Sequence, residues 1–307
     1  MTQRRVVAIT GATGFVGSAV IRRLAEAGWH ARALTRREQP ESDRVTWVNG
    51  SLDDPASLIE ICDGADCILH IAGIVNAPSA ADFEAGNVTG TANVIAAAKA
   101  AGVGRFIHVS SLSAKQPKLS LYGASKMRGE RLVTTSLLDW TIVRPPGIYG
   151  PGDTEMLDVF RLAAKGVALL PPRGKISVIH VDDLARLLVA LLPVHEDAAT
   201  QIYEPDDGRP GGWTHSGFAR AIGWGMGKRV SALHAPRPLL LLAGYGDRLL
   251  RGSKAKLTPD RARYLAHRDW TVDPLRRPPP ALWQPLIGTR EGLRDTARWY
   301  RANGWMK

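Results

Sequence analysis

Runs of near-continuous apolar residues at 6–10, 31–35, 45–48, 67–71, 105–110 and 141–144 alternate with amphipathic stretches such as 16–27, 92–101 and 126–135. No other feature of the sequence limits the fold so strongly. A strand with one wet face alternates apolar and polar residues, whereas a strand buried on both faces is apolar throughout, so these runs call for a parallel sheet covered by helices on both sides. The repeated strand–helix–strand order predicts an α/β fold built on a doubly wound parallel sheet. Beyond Pro145 proline and glycine become frequent, a helical pattern covers 181–192 and a short strand 201–203. The rest reads as short helices and loops with a proline-rich link at 277–280.

Bulk properties remove several alternatives. A chain of 307 residues buries a large core and suits one two-lobed enzyme, and nothing in it repeats at the period of a solenoid or propeller. The longest strongly apolar run, 238–243, is far shorter than the roughly 20 residues a membrane span needs. The first residues lead straight into a strand without an apolar signal stretch, which predicts a cytoplasmic protein. Cys62 and Cys67 sit in apolar surroundings without metal-ligand spacing and fit reduced core thiols. The eight histidines form no metal-spaced pair, so no metal site is expected. The net charge of +11 suits phosphates or an anionic membrane surface, but no zinc finger, recognition helix or RNA-binding aromatic motif accompanies it, which argues against nucleic acid.

Gly11, Gly14 and Gly17 stand in Gly-Ala-Thr-Gly-Phe-Val-Gly, directly after the first strand and opening a helix. Glycines here allow a tight turn, close approach of backbone to a pyrophosphate and close helix–strand packing, while the helix N-terminus offers free amides. In this context the triplet predicts a Rossmann-type dinucleotide site. The expected division is a dinucleotide-binding domain of 1–150 with 176–204, and a smaller C-terminal substrate lobe of 151–175 with 205–307 over the sheet's carboxyl edge. The end of the second strand reads Leu34, Thr35, Arg36, Arg37, without the carboxylate that would bond a ribose 2′-hydroxyl. Two guanidiniums favour a 2′-phosphate, so the expected cofactor is NADP(H); the plainer alternative is that both arginines are solvated loop charges.

Tyr122 and Lys126, in Tyr-Gly-Ala-Ser-Lys, lie one turn apart on the same face of a helix. A phenol titrates near pH ~10, and a neighbouring ammonium together with an oxidised nicotinamide would favour its phenolate. Such a pair also arises by chance on helix surfaces. Its position after a strand ending Val109, Ser110, Ser111 raises its value, because a serine there can bond a reacting carbonyl; Ser111 is the first choice and Ser110 the fallback.

Taken together, these motifs resemble the extended short-chain dehydrogenase/reductase family, also called the NAD-dependent epimerase/dehydratase family. The likeness also rests on Asn87-Val-Thr-Gly-Thr, Arg144-Pro-Pro-Gly-Ile-Tyr-Gly-Pro-Gly and Ile179-His-Val-Asp-Asp-Leu, and it covers about residues 5–192. The resemblance implies that Ser111, Tyr122 and Lys126 form a catalytic triad and that Asn87 supports the active-site helix. It further implies cofactor contacts at Thr13, Phe15 and Val16 in the glycine loop, at Ala72 and Gly73 after the fourth strand, and at Pro145, Gly147 and Ile148 along the nicotinamide. Many members carry Gly-Asp-Leu after the third strand; here Gly50-Ser51-Leu52 precedes Asp53 and Asp54, which leaves the adenine contact open at Ser51 and places one at Leu52.

Three functions suit such a chain: an NADP(H)-dependent ketone reductase, a nucleotide-sugar epimerase or dehydratase, and a non-catalytic nucleotide-binding scaffold. The intact trio argues against the scaffold, and Arg36 and Arg37 favour the reductase. The stretch 236–256 joins leucines to five cations, which suggests a hydrophobic, lipid-linked ketone, 3-ketoceramide being the sharpest candidate, and peripheral contact with an anionic membrane at its inner face. The alternative is a lobe helix whose leucines fill the core and whose arginines are solvated.

Overall fold

The structure is a computed structural model that describes residues 5–194, 198–252, 255 and 257–306. Of the 236–256 stretch, Ser253, Lys254 and Lys256 fall outside the described residues.

The apolar runs form β1 (Val6–Thr10), β2 (His30–Thr35), β3 (Val45–Asn49), β4 (Cys67–His70), β5 (Arg105–Val109) and β6 (Asp139–Val143). With the strand Gln201–Tyr203 they make one sheet ordered Gln201–Tyr203, β6, β5, β4, β1, β2, β3, and every pairing is parallel. Between the strands run α1 (Phe15–Glu26), α2 (Pro55–Cys62), α3 (Ala80–Glu84), α4 (Gly90–Ala100) and α5 (Leu121–Thr134). Alternate strand residues feed two cores. Val7, Ile9, Leu69 and Ile107 pack with α1 and the helix Val181–Ala190, whereas Ala8, Ile68 and Phe106 pack with α2 and α4. Both faces are dry, which is why the strands are apolar throughout.

The chain order reverses between β1 and β4, and that switch point is where ligands bind at the carboxyl ends of an open parallel sheet. Thr10 Oγ1 and His70 Nδ1 lie 2.7 Å apart there and join the ends of the two strands.

The sequence reading underestimated the remainder of the chain. It contains a 15-residue helix, Arg237–Arg251, and a 14-residue helix, Thr289–Ala302, where short helices were expected. Small sheets join distant segments: Gly147–Tyr149 pairs with Val178–His180, and Val167–Leu170 pairs with Ser231–His234. Strands this short carry little periodicity, so their pairing was invisible in the sequence. A separate core of Tyr149, Phe160, Phe218, Ile222, Leu293 and Tyr300 joins the two small sheets to the helix Thr289–Ala302; the helix Arg237–Arg251 lies outside it.

A buried ionic chain ties α5 to the sheet's carboxyl edge. Arg144, just past β6, donates from Nη2 to Glu130 Oε2 at 2.6 Å and from Nε to Glu130 Oε1 at 2.8 Å, and its Nη1 lies 3.4 Å from Glu204 Oε1. Glu204 Oε2 also accepts from Lys115 Nζ at 3.0 Å and from the Asp273 amide at 2.8 Å. Removing one member of such a buried set leaves the other charges uncompensated, at a cost of about 3–5 kcal/mol. Arg144→Met is therefore expected to lower the free energy of unfolding by that amount, read as a lower urea midpoint at an unchanged denaturant slope. A variant within about 0.5 kcal/mol of wild type would show that the network adds nothing to stability.

Candidate active site

The helix α1 begins at Gly14 without a side-chain cap and without an acid in its first turn. The Ser18 amide bonds the Gly14 carbonyl, so the amides of Phe15, Val16 and Gly17 precede the first intrahelical bond and are free for an anion. The loop depends on its glycines. Gly11 has φ +78°, and a Cβ on Gly17 would lie 2.0 Å from the Gly11 carbonyl oxygen. This cradle is the local evidence that the chain accommodates a pyrophosphate.

The loop forms part of a cavity of about 1590 Å³. Pockets for single ligands commonly measure about 300–1,000 Å³, so this one has room for a dinucleotide and a second molecule. Gly11, Thr13, Gly14, Phe15, Val16, Gly17, Arg36, Leu52, Ala72, Gly73, Pro145, Gly147 and Ile148 all line it, together with Ser111, Tyr122 and Lys126. Arg37 does not; it is exposed, and its amide and carbonyl turn back to the Thr35 hydroxyl at 3.2 and 2.8 Å. At the same end the structure adds a carboxylate that the sequence reading left out of the site. Asp53 lines the cavity, and its carboxyl is held below the usual range by a hydrogen bond from Ser51, with a smaller contribution from the charge of Arg36.

The other end holds the hydroxyl cluster. Ser111 caps a short 3-10 turn, Leu112–Lys115, accepting from the Ser113 amide at 3.2 Å, and the Ser113 hydroxyl lies 3.0 Å from its own. Both serines hydrogen-bond Tyr122. Ser110 also lines the cavity, and its hydroxyl donates to Glu130 at 2.5 Å in the buried ionic chain. Burial pushes the Tyr122 phenol above its ordinary value, the bond to Ser111 opposes this, the charge of Glu155 reinforces it and Ser113 opposes it. Lys126 donates to the Val109 carbonyl at 2.8 Å, and burial lowers its ammonium to about 8 while Glu130 pulls the other way. The expected phenolate belongs to the site with an oxidised nicotinamide beside Lys126; in the protein alone, burial moves the phenol upward.

The surroundings fix α5 closely. Asn87, in a π-turn spanning Ala85–Thr89, donates to the Ser125 hydroxyl and the Ile74 carbonyl at 2.9 Å each and accepts from the Ile74 amide at 2.7 Å. Ser120 caps α5 through the Gly123 amide, and Asp260 reaches across to accept from the Leu121 amide at 3.1 Å. A carboxylate at a helix N-terminus is favoured by the helix dipole. Beyond Tyr122 the cavity is lined by Met156, Val159, Leu170, Phe218, Ala219 and Leu265, and Tyr264 stands near Tyr122. Ser113, Asp260 and these apolar residues were missed because nothing in their local spacing marks them.

Over 312 aligned positions the chain is 38% identical to the ceramide reductase of Caulobacter vibrioides, covering 99% of this chain and 96% of that protein. It is 30% identical to a 2-alkyl-3-oxoalkanoate reductase of Stenotrophomonas maltophilia across 58% of this chain and 62% of the relative. The fold is similar to that of the dTDP-glucose 4,6-dehydratase of Streptomyces venezuelae solved with NAD, with a TM-score of 0.71, 22% identity and coverage of 98% and 99%. The model of the NAD dependent epimerase/dehydratase family matches residues 7–204, so the chain belongs to that family.

Proposed function

We propose that the chain is an NADP(H)-dependent oxidoreductase that reduces a ketone on a hydrophobic, lipid-linked substrate, with conversion of 3-ketoceramide to ceramide the sharpest candidate. The observation that carries this reading is the single cavity joining the glycine cradle to Ser111, Tyr122 and Lys126 and then to an apolar wall. The full-length similarity to a ceramide reductase supports the same substrate class.

The bound nicotinamide would supply hydride to the carbonyl carbon. The residues of the chain manage the oxygen. Ser111 would hold the carbonyl oxygen, and Tyr122, protonated in its buried setting, would donate the proton as charge develops there. Lys126 would favour the resulting phenolate electrostatically. The apolar wall suits an acyl chain. A nucleotide sugar would need a grip for its diphosphate, and two of the arginines lining the cavity are already paired, Arg261 with Glu155 at 3.1 Å and Arg263 with Asp260 at 3.4 Å.

For the cofactor, Arg36, which lines the cavity as Arg37 does not, would meet a 2′-phosphate. Asp53 favours the second reading, since a carboxylate beside the ribose bonds a 2′-hydroxyl and repels a phosphate. Under the proposed reading NADPH outcompetes NADH in kcat/KM. Arg36→Ala then narrows the preference by roughly tenfold or more, a charge-assisted bond contributing about 1.5–3 kcal/mol. A native preference for NADH, or an unchanged ratio in the variant, would transfer the assignment to Asp53 and NAD(H).

For the chemistry, Tyr122→Phe is expected to bind NADPH normally by fluorescence titration while kcat falls by at least about 100-fold, the scale of general acid catalysis. Near-normal turnover would remove Tyr122 from the reaction. The pH profile gives an independent check. Lys126 is charged below its lowered value of about 8 and neutral above it, so kcat/KM for reduction should decline as pH rises through that point. A profile level through roughly pH 9 would mean that the Lys126 charge plays no part.

A further inference from the structure

We propose that the outward face of the helix Arg237–Arg251 seats on an anionic lipid bilayer, so that the mouth of the cavity opens at the membrane surface. The inference rests on the reductase reading only for the identity of what passes through that mouth.

This helix is packed the wrong way round for water. Its inner side is set by Gly244, where a Cβ would lie 3.1 Å from the Thr258 carbonyl oxygen and 3.2 Å from the Ala262 Cβ, so the helix leans against the helix Pro259–Leu265. Leu239, Leu242, Tyr245, Leu249 and Leu250 fall on the opposite side at helical spacing, and they are 55%, 67%, 61%, 87% and 85% exposed. A core-filling role for these leucines is thereby removed. By helical spacing Arg237, Arg248 and Arg251 fall on the Gly244 side rather than on this stripe, and all three are exposed; Arg248 lines the cavity and Arg251 pairs with Asp247 at 3.1 Å. A helix dissolved in water turns its charges outward and its leucines inward. One that lies in a membrane interface does the reverse, with leucines among the acyl chains and guanidiniums at headgroup level.

Two further facts select the occupant. The chain carries a net charge of +11, which complements an anionic surface. Arg248 and Gly252 at the end of this helix, with Thr258 and Pro259 at the start of its neighbour, line the cavity, so the helix that bears the apolar stripe also borders an apolar-walled cavity. None of the described helices is long and apolar enough to cross a membrane, so the contact is peripheral.

The test is flotation of the full chain with vesicles of phosphatidylcholine alone or mixed with phosphatidylglycerol, beside the double variant Leu242→Gln, Leu249→Gln. Both leucines are exposed, so the fold should tolerate the change. Wild type is expected to float with the anionic vesicles roughly tenfold more than with the neutral ones and to be released by salt, while the variant falls to the neutral level. The proposal is overturned if wild type floats with neither, or if the variant floats as well as wild type. It is equally overturned if sedimentation without lipid shows wild type self-associating and the variant monomeric, since the face would then cover a second copy. NADPH oxidation on a ketone short enough to dissolve without detergent separates the two readings. Equal rates for both proteins with no flotation reject the membrane contact alone. Flotation without reduction of either soluble or vesicle-borne ketones rejects the reductase reading alone.

Discussion

Arg144 lies between two buried carboxylates, Glu130 on α5 and Glu204 just past the strand Gln201–Tyr203, and much of the site's geometry depends on that contact. Three elements that are distant in sequence converge there. The helix bearing Tyr122 and Lys126 is tied to the sheet's carboxyl edge, and Glu204 passes the restraint on to Lys115 and Asp273. Ser110 is engaged by the same network, next to Ser111 in the cavity wall. A desolvated ion set tolerates little displacement, because each charge would lose its partner in a medium that screens poorly. The hydroxyl cluster is thus held by charges that lie behind it.

The two ends of the cavity are built on different principles. The cofactor end is made of backbone: amides at the start of α1, and glycines whose missing side chains leave room for an anion. The reacting end is made of side chains whose protonation is set by burial. Desolvation raises the Tyr122 phenol and brings Lys126 down to about 8. Leu170, Phe218 and Ala219 of the smaller core line the cavity, and Asp260, on the helix Pro259–Leu265, adds a second cap on α5.

Features carried by local rules were legible in the sequence. Doubly buried strands must be apolar, a phosphate loop needs glycines between strand and helix, and a Tyr–Lys pair four apart must share a helix face, so the sheet, the cradle and the trio could all be read directly. Features created by long-range packing were not. The proximity of Asp53 to Arg36 depends on β2 and β3 lying side by side, and no spacing rule announces it. Arg37 read like Arg36 in the sequence, yet only Arg36 lines the cavity, while the Arg37 backbone closes a turn on the Thr35 hydroxyl. The stretch 236–256 showed leucines and cations together, but only the packing of Gly244 against Thr258 reveals which side meets solvent.

The central claim is net ketone reduction by a cofactor that leaves after each turnover. The most direct test supplies NADPH carrying deuterium at the transferable position to the full chain with a long-chain 3-ketolipid, and follows product and cofactor by mass spectrometry. The account predicts one deuterium at the new carbinol carbon and an equal amount of free NADP+. Deuterium retained on the cofactor, together with cofactor-independent interconversion of a nucleotide sugar, would contradict it.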